Sequence, residues 1–336
     1  MIARHLASRR LAAASVVVVS GIALSGCHAT AAATVAPQAI SLPATACDGT
    51  TLTGDVDVSM LSGGEHRSMI VHIPSGYTDR TPVPLVLNLH GSGSTAAVQE
   101  EFSGMDSVAD AHGFLVAYPQ GAIVSGSGDD WNVPGEPLFG GGSAPANASD
   151  DVAFLAQAIH TLEQGLCVDS TRVDATGFSG GARMTSELGC DLSTTIAAIA
   201  PVSGLRFPSP CVGTRPVPVI SFHGTDDPVD PYNGNGQAYW TYSVAVAVER
   251  WAVHDACATT PDESVTDSTV RFTEYTGCAD GATVGLYTID GEGHEWPGGP
   301  RLPAGDTRIL GPQSDAMNAD ATMWQFFMVH PLSTTP

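Results

Sequence analysis

Short, nearly uninterrupted apolar runs alternate along this chain with stretches in which apolar residues recur every three or four positions. The runs at 68–74, 84–89, 114–118, 172–176, 196–202, 217–222 and 284–289 read as strands, the first closed by Pro74. Helical periodicity marks 152–166, where Val152, Leu155, Ala156, Ile159, Leu162 and Leu166 share one face behind Asp150 and Asp151. It recurs at 182–188, 239–254 and 316–329. Strands alternating with helices predict an α/β fold in a single domain, a mostly parallel sheet with helices on both faces. Two stretches break the pattern. Residues 121–149 are rich in Gly, Ser, Pro and Asp yet hold Trp131, Leu138 and Phe139, and residues 296–313 are rich in Pro and Gly. Loops this long in a compact domain are often functional, so Trp131 and Trp296 are candidates for a substrate wall.

Before residue 47 the pattern changes. Arg4, Arg9 and Arg10 precede an apolar stretch at 11–24 that is too short to cross a bilayer comfortably, the pattern of a signal peptide over 1–26. It ends in Leu24-Ser25-Gly26-Cys27, which resembles a bacterial lipobox; the resemblance implies acylation of Cys27 and a lipid-anchored N-terminus. Ordinary cleavage within 29–33 is the alternative. Residues 27–46, rich in Ala, Thr and Pro, read as a tether, which leaves 47–336 as the folded body. Export agrees with the remaining cysteines, Cys47, Cys167, Cys190, Cys211, Cys257 and Cys278, whose even number suits disulfides. Six cysteines allow fifteen connectivities. Proximity in sequence favours Cys190–Cys211 and Cys257–Cys278, which leaves Cys47–Cys167; buried free thiols are the alternative. No pair has C-x-x-C spacing, so neither a zinc site nor thioredoxin-like chemistry is expected from them.

Composition removes several functions. The 336 residues carry a formal net charge of −22, and all 13 basic residues are arginine. Without lysine there is no Walker A loop, no Schiff-base or pyridoxal lysine and no Ser–Lys dyad. An acidic chain without a basic cluster is not expected to bind nucleic acid or anionic headgroups.

Gly177-Phe178-Ser179-Gly180-Gly181 fits G-x-S-x-G. Alone the pentapeptide is weak. Between a strand and a helix it has the setting of a nucleophile elbow, where a tight turn between small residues holds a serine above the sheet edge. Such a serine needs a base, and the base an orienting carboxylate. In the chain order Ser, acid, His, the next strand end bearing carboxylates is His223-Gly224-Thr225-Asp226-Asp227-Pro228-Val229-Asp230. Asp227 is the candidate acid, with Asp226 and Asp230 as alternatives. Of the histidines that follow, His254 and His330 fall in or at the end of helices, whereas His294 lies in a glycine-rich loop after the strand at 284–289 and is the candidate base. The negative charge that develops on attack needs donors, for which the backbone N–H groups of Gly180 and Ser92 are the candidates. His90 and His223 each precede a glycine at a strand end and read as loop organisers.

Taken together, Leu89-His90-Gly91-Ser92, Asp150-Asp151-Val152, the elbow with Ala182-Arg183-Met184, His223-Gly224-Thr225-Asp226-Asp227 and Gly293-His294-Glu295-Trp296-Pro297-Gly298 resemble the polyhydroxybutyrate depolymerase/feruloyl esterase-like α/β-hydrolases. The resemblance covers residues 47–330. It implies an α/β-hydrolase fold with Ser179 as nucleophile, Asp227 as orienting acid and His294 as base. Many relatives have cysteine where this chain has Ser92 and asparagine where it has Gly180; neither change removes a backbone N–H. The expectation is an exported serine esterase, without cofactor or metal. It hydrolyses a small-molecule or polymeric carboxylic ester of feruloyl, acetyl or hydroxyalkanoate type through an acyl-enzyme. Two other expectations compete: a catalytically silent, glycan-binding envelope lipoprotein on the same scaffold, and a prolyl-oligopeptidase-like peptidase, for which no propeller repeat is visible.

Overall fold

The structure is a computed structural model that describes residue 42 and residues 46–49, 52–301 and 307–333. The signal peptide, the acylated Cys27 and nearly all of the tether expected from the sequence lie outside the described residues. Among those described, the chain runs β1 (Gly54–Ser62), β2 (Glu65–Ile73), β3 (Val83–Leu89), α1 (Ala96–Ser103), α2 (Asp106–His112) and β4 (Leu115–Pro119). It continues through β5 (Ile123–Ser125), β6 (Gly128–Asp130), α3 (Asp151–Gly165), β7 (Val168–Phe178), α4 (Gly180–Asp191), β8 (Ile199–Val202) and β9 (Val219–Gly224). It closes with α5 (Val244–His254), β10 (Asp262–Asp267), β11 (Val270–Tyr275), β12 (Val284–Ile289), α6 (Thr307–Leu310) and α7 (Ala319–Met328).

Ten strands form one sheet in the order β1-β2-β4-β3-β7-β8-β9-β12-β11-β10, while β5 and β6 pair as a separate hairpin. Every neighbouring pair from β4 to β12 is parallel. The strands outside them, β1 and β2 at one end and β11 and β10 at the other, join antiparallel. Burial on both faces explains why the central strands read as unbroken apolar runs. In β3, Leu85, Leu87 and Leu89 join a core with Phe154 and Ile159 of α3, Met184 and Leu188 of α4 and Trp251 of α5. Val86 points into a second core with Phe102 of α1, Ala109 of α2 and Met323 and Phe327 of α7. In β4, Leu115 and Ala117 belong to the first core and Val116 and Tyr118 to the second. Each such Leu or Phe, fully buried, contributes about 1.5–3 kcal/mol.

Helix ends follow local chemistry. Asp150 caps α3 by accepting from the Ala153 N–H at 2.9 Å, and Asp151 in the first turn pairs with buried Arg67 of β2 at 2.7 Å. The helix expected over 239–254 begins only at Val244. Ser243 caps it, while Trp240 is drawn into a turn by donating its Nε1 to the Pro231 carbonyl at 2.7 Å. The helix expected over 316–329 begins at Ala319 because Asn318 caps it. Two buried helical acids stand out. Burial, with Asp191 and Glu136 nearby, pushes Glu187 of α4 up to about 8. Burial likewise pushes Asp320 of α7 up to about 8, where it accepts from Trp296 Nε1 at 3.0 Å.

The disulfides pair as sequence proximity favours. Cys190–Cys211 ties α4 to the loop after β8, Cys257–Cys278 ties the ends of α5 and β11, and Cys47–Cys167 fastens the N-terminal segment to the start of β7. The first two close separations of 21 residues and the third one of 120. Loop-closure entropy grows with the logarithm of that length, so replacing Cys47 and Cys167 together by serine is expected to cost about 5 kcal/mol, against about 3 kcal/mol for Cys257 and Cys278. Denaturant midpoints of the two double variants measure the difference.

Candidate active site

Ser179 occupies the single residue between β7 and α4, with φ 54° and ψ −115°, a conformation that disfavours any side chain. Hydrogen bonds hold it there: its N–H donates to the Val202 carbonyl at 3.0 Å, and its carbonyl accepts from the Arg183 N–H at 3.1 Å. The flanking glycines are required by close approach. A Cβ on Gly181 would lie 2.2 Å from the Leu89 carbonyl oxygen, and one on Gly180 would lie 2.4 Å from Ser92 Oγ and 3.0 Å from Ser92 N. The residue after the elbow and the loop after β3 are thus packed against each other.

That loop is organised by His90, as expected from its place before glycine. Its Nε2 accepts from the Gly121 N–H at 2.9 Å, which leaves Nδ1 to donate to the Gly91 carbonyl at 2.8 Å. Burial lowers the pKa of this imidazole and keeps it neutral. Trp131 lies behind it, donating Nε1 to the His90 carbonyl at 2.8 Å with the rings 4.7 Å apart.

The three acids after β9 separate by burial. Asp226 is exposed, whereas Asp227 and Asp230 are buried. Asp227 Oδ2 lies 2.8 Å from His294 Nδ1, and its Oδ1 accepts from the N–H groups of Val229 and Asp230 at 2.8 and 2.7 Å. His223 Nε2 donates to the Asp230 carbonyl at 2.8 Å and lies 3.3 Å from Asp227 Oδ2, with its ring stacked on Trp240. It organises the turn, as expected. Gly224 lets the turn meet the histidine loop, since a Cβ there would fall 2.1 Å from the Glu292 carbonyl oxygen.

His294 follows β12 and is fixed by backbone hydrogen bonds from its own N–H to Leu310 and from Gly293 to Pro312. Its ring lies 4.7 Å from that of Phe178, and it lines the same cleft as Ser179. No hydrogen bond joins Ser179 Oγ to the imidazole among the described residues; such contacts often close only around substrate. Burial opposes charging His294, but Asp227, with Asp230 and Glu295, outweighs it and raises the pKa. For Asp227 burial pushes upward, and His294 and His223 bring the pKa below the usual carboxylate value. Glu292 is pushed up to about 8 by burial and by Glu295, so at neutral pH it keeps its proton.

The cleft has a volume of about 330 Å³ and largely apolar walls: Val98 and Phe102 of α1, Phe139, Phe178, Val229, Ile309 and Leu310. Trp296, expected in the wall, is instead fully buried between Phe102 and Asp320, and Trp131 borders only a narrow side crevice with Phe139 and Arg183. Each of the two long loops does reach the cleft, through Phe139 in one and Ile309 and Leu310 in the other. Val98 and Phe102 were not foreseen, because α1 is too short to show a period.

A mostly parallel sheet, a strand–serine–helix elbow and a histidine–aspartate pair at its carboxyl edge define an α/β-hydrolase. No family model matches the chain. Its sequence is similar to feruloyl esterase B of Piromyces equi, 32% identical over 68% of this chain and 42% of that protein, and to feruloyl esterase D of Neurospora crassa, 28% identical over 76% and 83%. It is also similar to poly(3-hydroxyalkanoate) depolymerase C of Paucimonas lemoignei, 27% identical over 72% of this chain and 62% of that one. The chain thus spans less than half the length of the Piromyces enzyme. In fold it resembles an acetyl xylan esterase from Aspergillus awamori, with a TM-score of 0.50 at 18% identity over 76% of this chain and 98% of that one. These sequence likenesses support the feruloyl esterase/polyhydroxybutyrate depolymerase-like family of ester hydrolases for this chain.

The pairing of His294 with Asp227 has a direct consequence. In the unliganded protein the His294 imidazole should titrate above the ordinary value of 6.5. Asp227→Asn removes the charge and leaves the burial, so the same ring should then titrate lower than in the parent. Following the ring protons by NMR across pH checks both; an unmoved midpoint rejects the coupling.

Proposed function

We propose that this chain is an exported serine esterase in which Ser179 attacks the ester carbonyl, His294 moves the proton and Asp227 orients the imidazole. The observation that carries the reading is the elbow serine at φ 54° lining one cleft with a histidine whose Nδ1 is bound by a buried carboxylate. With Nδ1–H committed to Asp227, Nε2 is the free base. It takes the Ser179 proton as Oγ bonds to the carbonyl carbon, and the N–H groups of Gly180 and Ser92 receive the developing oxyanion. The tetrahedral species then collapses, and the proton on Nε2 passes to the departing alcohol. Water repeats the sequence on the acyl-enzyme and releases the acid. Walls built from Phe102, Phe139 and Phe178 suit an aromatic or alkyl acyl group, in keeping with feruloyl, acetyl or hydroxyalkanoate esters. Three disulfides support an extracellular setting, with Cys27 as the proposed site of lipid attachment. The esterase names of the relatives favour neither the silent glycan-binding lipoprotein nor the peptidase.

Ser179→Ala is expected to lower hydrolysis of a short p-nitrophenyl ester by at least ~10³-fold while the circular dichroism stays unchanged. In the parent protein kcat/KM should rise with pH along a limb centred above 6.5, because His294 must be neutral to accept the proton. Undiminished turnover in the alanine variant rejects Ser179 as the nucleophile. A panel of feruloyl, acetyl and hydroxyalkanoate esters assigns the acyl preference.

A further inference from the structure

We propose that Asp55, His72 and Asp106 form a divalent-metal site, of the kind zinc occupies, at the β1–β2 edge of the sheet. Asp55 stands opposite His72 in the β1–β2 register, and Asp106 comes from the first turn of α2. Their ligand atoms all lie within 4.8 Å of one another. His72 Nδ1 is 3.7 Å from Asp106 Oδ2 and 2.7 Å from Asp55 Oδ1. An ion held at about 2.0–2.2 Å by imidazole and carboxylate fits between atoms roughly 3–4 Å apart. Asp106 already meets that spacing. The Asp55 side chain is 56% exposed and can swing outward by the remainder.

The histidine carries the inference beyond a cluster of acids. Its side chain is only 9% exposed, and Nε2 has no hydrogen-bond partner. Asp110 Oδ1 stands 3.7 Å from that nitrogen, where a ligating histidine usually finds its second carboxylate. Asp106 is oriented in advance, because Tyr118 donates to its Oδ1 at 2.7 Å and leaves Oδ2 facing His72. The charge balance points the same way. Asp55, Glu100, Asp106 and Asp110 gather around one imidazole, and no arginine pairs with them among the described residues. Glu100 of α1 lies beside the cluster, and its buried Oε1 has no hydrogen-bond partner. A divalent cation would relieve that crowding and clamp the outer hairpin onto α2. One imidazole with two carboxylates and a water suits zinc, whereas calcium takes six to eight oxygens. None of these residues lines the cleft.

The test uses the exported form of the chain, stripped of metal with a chelator and titrated with zinc chloride by calorimetry and by thermal unfolding. The parent should bind a zinc ion tightly and show a zinc-dependent rise in Tm. Asp110→Asn should weaken binding by about 10–100-fold. Asp55→Asn with Asp106→Asn should abolish both the binding and the zinc-dependent shift, with circular dichroism unchanged. Replacing Asp262 and Glu263 on exposed β10 by their amides should alter neither. The exposed position of Asp55 makes Asp55→Asn alone a second variant that folds if the double one does not, and it too should weaken binding. Absence of zinc binding in the parent, or equal binding in the Asp55 and Asp106 variants, overturns the proposal.

Discussion

Ser179 holds φ at 54° against its own preference, at a cost of about 1–3 kcal/mol, and the surrounding packing makes that conformation the available one. β7 and β3 bring Gly177 and Leu89 side by side, and α4 starts so close to the end of β3 that Gly181 has no room for a side chain. The same crowding presses Gly180 against Ser92, so the proposed nucleophile and proposed oxyanion donors share one rigid junction. Strain at the serine and closeness of the donors are therefore one constraint. Relaxing it with a larger residue at 180 or 181 would move both.

The central sheet and the residues at its carboxyl edge were legible in the sequence, because two-sided burial writes itself as unbroken apolar runs. Asp150 marked the start of α3, and the strand–helix setting of Gly177-Phe178-Ser179-Gly180-Gly181 marked the elbow. Burial then separated Asp227 from exposed Asp226, a distinction that adjacent identical residues could not carry. The edges were not legible. All six residues of β10 are exposed, so it has no apolar alternation, and α1 and α2 are too short for a helical period. Missing α1 meant missing Val98 and Phe102 in the cleft wall. Trp296 misled for a related reason: sequence locates an aromatic in a loop but not the side to which it turns, and here Asp320 holds its indole inward.

Three buried histidines of this domain play two parts, and their neighbours decide which. His90 accepts a backbone N–H, is desolvated and stays neutral, so it shapes a loop. His223 is equally buried, and its Nε2 is spent on the Asp230 carbonyl. His294 alone of these has its Nδ1 committed to a carboxylate while lining the cleft, which leaves its Nε2 uncommitted. Hydrogen bonding thus separates two loop organisers from the candidate base, as their places in the sequence had suggested.

The buried carboxyls carry a consequence for the molecule as a whole. Glu187, Glu292 and Asp320 each release their proton only near pH 8 in the folded chain, whereas unfolded acids do so near 4 to 4.5. Folding across that interval draws hydrogen ions from the medium, so stability declines as alkalinity grows and is greatest on the acidic side. The proposed base pulls the other way, since His294 must lose its proton to act, so the conditions that favour folding and those that favour turnover diverge.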